Sequence, residues 1–441
     1  MQKQIVEGFR LSPQQEHLWL LQQSEAGMPA RVTCAVEIKG NLDSATLELA
    51  IEKTIARHEI LRTTFQRLQG MAAPLQVVAD STPARIQQHD LSELQLLPQA
   101  TGLTEILTEG YLPADFDNAT PLYLSLLTMS HDAHILLISL PALCADAIGL
   151  KNFVFELGRC YAACLNGEEI TDEPMQYPDF SEWQHEILTS EETEAGRAYW
   201  RQDGEANQFD LALPLETTSL ETEKFSPQFI SCTLNANTVE QMERVSAMHD
   251  SSLSSSLLAA FFLLLSRLTD SAQLSLGVCF DGRNYEELAS ALGLFSRFLP
   301  INADLSADPS FAHLLTSLNA SLSDASSWQE LFTQHTAASI AAAATPSFFP
   351  FCFEFIDEAT PSIGVTDSLR FTLQSSVAYI SRFKVLLRCL RSNDGSVLIQ
   401  WHYDAAVYQE AEVLQLAERW AKAVESISAQ TSSRTLDEVE I

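Results

Sequence analysis

Apolar positions along the chain alternate between two periodicities. Ser12-Pro13 opens a helical pattern that runs through Trp19 and Leu21, Val32 to Ile38 has strand character, and Ser44 to Arg57 returns to helical spacing. Further on, Ile135-Leu136-Leu137-Ile138-Ser139-Leu140 is a short continuous apolar run of the kind that makes a buried strand. Leu150, Phe153, Val154, Leu157, Tyr161 and Cys164 then recur at helical intervals. This patterning predicts an α/β fold. It also predicts a strand-to-helix corner over residues 141–147, where a rigid scaffold would project short loop side chains into a cleft.

The pattern breaks at Asn166-Gly167-Glu168-Glu169-Ile170-Thr171-Asp172-Glu173-Pro174, a polar, acidic stretch with helix breakers. We read it as a lobe boundary, with one lobe over 1–174 and a second over 175–441 that starts in earnest near Tyr177. The second lobe repeats the style of the first. A Ser-rich start at 251–256 leads a long apolar helix to Leu268, and Leu274 to Phe280 is a strand. A helix follows Asp308-Pro309-Ser310, and strands are predicted at 348–355, 383–391 and 397–403. Ser392-Asn393-Asp394-Gly395-Ser396 between the last two carries the Asp-Gly hairpin signal, and 410–427 closes as an amphipathic helix.

Composition adds little to the fold but narrows the partners. With 441 residues, 46% of them apolar and 19% charged, the chain can bury a large core. Its formal charge of −32 repels phosphate backbones and anionic lipid, which argues against nucleic acid and membrane surfaces and leaves basic or neutral protein partners compatible. The eight cysteines lie mostly in apolar runs, the habit of reduced, buried thiols in a cytoplasmic protein. Cys160 and Cys164 stand four apart without a second ligand pair, so no metal site is expected. Met1 to Glu7 lacks an apolar signal core, and the longest apolar run, Leu257 to Leu265, is too short to span a membrane.

Arg57-His58-Glu59-Ile60-Leu61-Arg62-Thr63-Thr64-Phe65 resembles a core motif of the condensation domains of nonribosomal peptide synthetases. Leu11-Ser12-Pro13-Gln14-Gln15-Glu16-His17-Leu18-Trp19-Leu20 is similar to that family's opening motif, and Tyr177-Pro178-Asp179-Phe180-Ser181-Glu182-Trp183 to its fourth. Gly293-Leu294-Phe295-Ser296-Arg297-Phe298-Leu299-Pro300 resembles the family's G-x-F-V-N-T segment, with Ser296 and Arg297 where Val and Asn are usual. The resemblance implies two lobes, each like chloramphenicol acetyltransferase, arranged as a V-shaped pseudo-dimer around a central tunnel. Carrier proteins would reach that tunnel from opposite sides and bring the phosphopantetheine arm with them, so the domain itself needs no cofactor.

The 141–147 corner departs from the family. Its members carry H-H-x-x-x-D-G there, the second His assisting amide formation between two carrier-bound thioesters. Here the segment is Pro141-Ala142-Leu143-Cys144-Ala145-Asp146-Ala147, with Ala142 at the position of the working His and Ala147 at that of the Gly. A general base must lie within about 3 Å of its proton, and His134, eight positions upstream, is roughly 26 Å away along an extended strand. No catalytic residue is therefore assigned, and the other histidines, His17 and His402 among them, cannot be placed near the tunnel from sequence.

Three residues keep two readings each. Cys144 at a helix start is a candidate nucleophile or a buried structural thiol. Asp146 is a catalytic carboxylate or a buried acid ion-paired with an arginine of the Arg57…Arg62 motif. Arg297 faces the tunnel, with Ser296 and Cys144 as further lining candidates, or turns to solvent. No Gly-rich phosphate loop, adenylate-forming segment or carrier Ser motif is present, so the chain is expected to work beside neighbouring synthetase domains. Preserved scaffold with a lost base favours a platform that engages carrier proteins and recruits a tailoring oxygenase or hydroxylase. The alternative is an unconventional catalyst acting on carrier-bound thioesters.

Overall fold

The computed structural model describes residues 8–23, 27–68, 70–71, 73–83, 85–92, 121–204, 211–214, 216, 224–306, 310–334, 347–357 and 360–429. Two six-stranded sheets organise these residues. The first runs Ser362–Gly364, Arg370–Val377, Arg31–Lys39, Ala133–Pro141, Tyr123–Ser130 and Ile86–Asp90 from edge to edge. Its pairings are antiparallel except the last. The second runs Pro227–Leu234, Val397–Asp404, Val385–Arg391, Phe351–Ile356, Gln273–Phe280 and Arg297–Asp304, with parallel pairing on both sides of Phe351–Ile356.

Connectivity ties the sheets together. Ser362–Gly364 and Arg370–Val377 come from beyond residue 174, yet they complete the first sheet, with Thr33 opposite Val377 and Lys39 opposite Arg370. Arg31–Lys39 is therefore a central strand, paired on both sides. Its burial fits: Val32, Cys34, Ala35, Val36 and Ile38 are all fully enclosed. Sequence pattern did not identify the Arg370–Val377 strand, because only Phe371 and Leu373 alternate before the polar Gln374-Ser375-Ser376 takes over.

The helices follow their apolar stripes. Ala147–Asn166 buries Leu150, Phe153, Val154, Leu157 and Tyr161 against the first sheet, as its spacing predicts. Within Leu253–Thr269 the stretch from Leu257 to Leu265 is apolar on every side, and every residue of it is buried. Ala236–Met248, Phe311–Trp328 and Glu410–Ser428 pack around it. Among the described residues, no single helix is long and apolar enough to cross a membrane. The predicted hairpin is present, Gly395 taking φ +84° and Ser392 N–H donating to Ser396 O at 2.8 Å. The strand expected from residue 348 begins at Phe351, because Pro350 turns the chain and its carbonyl accepts from Lys384 and Val385 instead.

Candidate functional site

The corner forms where the Ala133–Pro141 strand runs into a short turn over Ala142–Cys144 and then the helix from Ala147. Ala142 is 1% exposed, and its N–H donates to Ala30 O at 2.8 Å. A methyl group thus occupies the position where the resemblance expects a working base. Asp146 caps the helix by accepting Gly149 N–H on Oδ1 at 2.6 Å. Its Oδ2 accepts Phe295 N–H at 2.9 Å and Ser296 N–H at 2.8 Å. Arg283 adds a fork, Nη1 to Oδ2 and Nη2 to Oδ1, both at 3.0 Å. Burial alone would raise the Asp146 carboxyl, but Arg283 and the backbone donors outweigh it and hold the group below its usual range. A carboxylate so fully committed is a clamp between chain segments and has no lone pair left to take a proton from substrate.

The arginine that pairs with Asp146 is therefore Arg283, and the expectation of Arg57 or Arg62 is corrected. Arg57 ends the Ser44–Arg57 helix beside Ala147–Asn166, where Nε meets Glu156 at 2.7 Å and Nη1 meets Asp172 O at 2.9 Å. Arg62 turns toward Ala79 O and Glu59. Helix geometry sends both away from the corner. Arg283 reaches it because Gly282, at φ +69°, bends the chain just after the Gln273–Phe280 strand. A Cβ there would stand 2.2 Å from Phe295 O, so the Asp281-Gly282-Arg283 turn was the signal available in the sequence. The guanidinium also lies 4.5 Å from the Phe295 ring centre.

The remaining motifs converge on the same spot. Tyr177 Oη donates to Leu294 O at 2.5 Å and bonds Ser12 Oγ at 2.7 Å. Gly293, at φ +152°, leaves the space the Tyr177 ring fills, since a Cβ would stand 2.0 Å from that ring. Residues 12, 146, 177 and 293–296 are thus brought together by tertiary contacts.

Two small cavities lie behind this junction. One, of about 30 Å³, is lined by Gln14, His17, Arg297, Phe332 and Thr333 among others. The other, of about 10 Å³, is lined by Asp146, Ala147, Glu354, Tyr379 and Arg388 among others. They adjoin across Ser296, Phe298, Ile380 and Ser381, which line both.

The two other lining candidates behave differently. Cys144 lines neither cavity, and burial pushes its thiol up to about 12, which corrects the lining expectation and removes the nucleophile reading. Arg297 does line the larger cavity but is tied down, Nη1 donating to Gln329 O at 2.8 Å and Nη2 to Glu330 at 2.9 Å. At 7% exposure it does not turn to solvent.

Sequence reasoning missed four residues here. His17 Nε2 lies 3.4 Å from Ser381 Oγ on the larger cavity. Glu354 and Arg388 form an ion pair on the smaller one. Nearby, His402 Nδ1 meets Tyr379 Oη at 3.0 Å, and burial holds the imidazole well below its usual range, so it is neutral. Sequence offset hides the Glu354–Arg388 pair, because it depends on parallel pairing of strands 34 residues apart. His335 lies outside the described residues. Among the described residues no group of three or more His, Cys, Asp or Glu side chains could hold a metal ion.

A family model of the condensation domain matches residues 7–440. This chain belongs to the condensation-domain family. Chondramide synthase cmdD of Chondromyces crocatus is 25% identical over 437 residues, covering 97% of this chain and 11% of that protein. Surfactin synthase subunit 1 of Bacillus subtilis (strain 168) is 24% identical over 433 residues, covering 96% of this chain and 12% of that protein. This condensation domain therefore spans a small fraction of the length of these curated relatives.

Among solved structures, the X-domain from teicoplanin biosynthesis superposes with a TM-score of 0.80 at 21% identity, covering 99% of this chain and 98% of that one. The complex of the X-domain and OxyB from teicoplanin biosynthesis gives 0.79 at 20% identity, covering 98% of this chain and 96% of that one. The first condensation domain of the calcium-dependent antibiotic synthetase, in complex with a substrate analogue, gives 0.78 at 18% identity over 98% and 99%. The fold of this condensation domain is thus the chloramphenicol acetyltransferase-like α/β fold expected from its motifs.

Proposed function

We propose that this condensation domain is a unit of a nonribosomal peptide synthetase that engages carrier-tethered substrates without histidine-driven amide formation and presents them to a tailoring oxygenase or hydroxylase. The observation that carries the reading is the corner itself: every donor that braces Asp146 is in place, while position 142 holds a buried methyl. A scaffold kept without its base retains the means to hold a substrate and lacks the means to accept a proton. The substrate would arrive on the phosphopantetheine arm of a carrier protein, delivered by neighbouring synthetase domains. The fold shared with an X-domain solved in complex with OxyB supports an oxygenase as the recruited partner. A net charge of −32 favours a neutral or basic face on that partner.

Two measurements test this. Immobilised protein exposed to native-host lysate should retain an oxygenase or hydroxylase identified by mass spectrometry. In a condensation assay with loaded donor and acceptor carriers, Ala142→His should leave the amide yield at the unmodified level, and a large gain would overturn the platform reading. One observation favours catalysis instead: His17 and Ser381 meet on the larger cavity. Positioning alone can leave slow amide formation after a base is lost. If amide does form, and His17→Gln abolishes it in a protein that still binds its carriers, the domain is an unconventional catalyst.

A further inference from the structure

The two six-stranded sheets repeat one pattern, and a strand position filled in the first is open in the second. In the first, Arg31–Lys39 is antiparallel to Ala133–Pro141, which is antiparallel to Tyr123–Ser130, which is parallel to Ile86–Asp90. Pro227–Leu234, Val397–Asp404, Val385–Arg391 and Phe351–Ile356 repeat that order and those senses in the second. Arg31–Lys39 and Pro227–Leu234 each lead into a helix, Ser44–Arg57 and Ala236–Met248 respectively. Arg31–Lys39 has a second antiparallel neighbour in Arg370–Val377, whereas Pro227–Leu234 has none among the described residues. It is also uncharged along its whole length. Edge strands are usually blunted by charge or by shortness, and the other edges of these two sheets are. Ser362–Gly364 has three residues, Ile86–Asp90 ends on an acid, and Arg297–Asp304 carries a charge at each end.

Register shows which backbone groups are open. Ala405 N–H donates to Ser226 O at 2.8 Å and Asp404 N–H to Lys384 O at 3.0 Å. Odd-numbered residues of Val397–Asp404 therefore face Pro227–Leu234, and even-numbered ones face Val385–Arg391. Gln228, Ile230, Cys232 and Leu234 spend their backbone groups inside the sheet. Phe229, Ser231 and Thr233 turn theirs outward, all three residues are exposed, and among the described residues no hydrogen-bond partner meets those groups. Pro227 also faces outward but has no N–H to offer. The open donors are thus symmetric about Ser231. A two-fold antiparallel copy centred there sets Ser231 against Ser231 and Phe229 against Thr233, so that every open N–H gains a carbonyl. We propose that Pro227–Leu234 pairs with the same strand of a second copy of this chain, joining the two second sheets edge to edge. Copies that each carry −32 repel, but the paired strands add no charge at the contact, so the association strengthens with salt. Nothing in it depends on the carrier reading.

The test is sedimentation equilibrium of the full chain over a concentration series at low and physiological salt. The mass should rise from one chain to two, at lower concentration in the higher salt. Ser231→Pro removes the central donor at an edge position where proline is tolerated, and should move the midpoint roughly tenfold or more to higher concentration. Phe229→Lys sets a charge on the edge and should leave the protein monomeric. Thermal melts confirm that both variants fold, and the wild-type series stands without them. Register is read by oxidation in a Cys232→Ser background. Ser231→Cys should cross-link two chains, since directly opposed residues of this kind have Cα atoms about 5.5 Å apart, within disulfide reach. Thr233→Cys should not, because residue 233 stands at least ~13 Å from its own copy at ~3.3 Å per residue. A monomer at every concentration and salt overturns the proposal. So does a dimer that ignores Ser231→Pro and Phe229→Lys, or that cross-links through position 233 and not 231.

Discussion

Asp146 and Arg283 show how a single pair holds distant segments. Both are buried, and the carboxylate also carries three backbone N–H groups from two segments of the chain. Removing one partner strands the other charge, which typically costs about 3–5 kcal/mol. Asp146→Asn and Arg283→Gln are each expected to lower stability by about that amount in a denaturant titration, and a loss under about 1 kcal/mol would contradict the clamp. Glu16 gives a second expectation. Burial pushes its carboxyl up to about 7, against the opposing pull of Arg10. A raised carboxyl favours folding below its ordinary value near 4.5, and that stability is lost as pH rises through about 7. Glu16→Gln should therefore raise the melting temperature at pH 8 and leave it nearly unchanged at pH 4. Equal shifts at both values would contradict this.

At the scale of elements, the glycine of the Gly293-Leu294-Phe295 segment is a matter of space. Its φ of +152° and the Tyr177 ring leave no room for a side chain, and Tyr177 in turn heads the Tyr177–Thr189 helix. Gly293→Ala should cost about 1–3 kcal/mol through backbone strain and overpacking. Tyr177→Phe should also cost about 1–3 kcal/mol, because the Leu294 carbonyl loses its donor. Urea melts of both variants check this. The motif positions were legible in the sequence as positions only. Spacing placed Ser12, Tyr177 and Gly293 in separate elements, and no periodicity states that a hydroxyl on one meets a carbonyl on another.

For the whole molecule, the decisive feature is the crossover that carries Ser362–Gly364 and Arg370–Val377 into the first sheet. Without it, Arg31–Lys39 becomes an exposed apolar edge, the kind that pairs with other chains. We expect residues 1–174 expressed alone to aggregate or to lack a cooperative melt by circular dichroism. A soluble, cooperatively folding fragment would show that the crossover strands are dispensable. The crossover also leads directly into Ala378–Ser381, which line the small cavity, so the strand that joins the sheets sets part of the cavity wall.

Local order was written in the chain itself. Periodicity determined the strand-to-helix corner, the buried Leu253–Thr269 helix and the terminal hairpin, because each depends on contacts between near neighbours or on one face meeting a core. Motif order likewise determined the family, and that Ala142 stands where the resemblance expects a His can be read directly. Tertiary structure alone decided which arginine meets Asp146, that Cys144 is sealed, that Arg297 is tied to Glu330, and that Glu354 and Arg388 share a cavity. Those outcomes turn on pairing between strands and turns far apart in the chain. An ion pair is specified by where two backbones bring their side chains, and no residue type carries that information by itself.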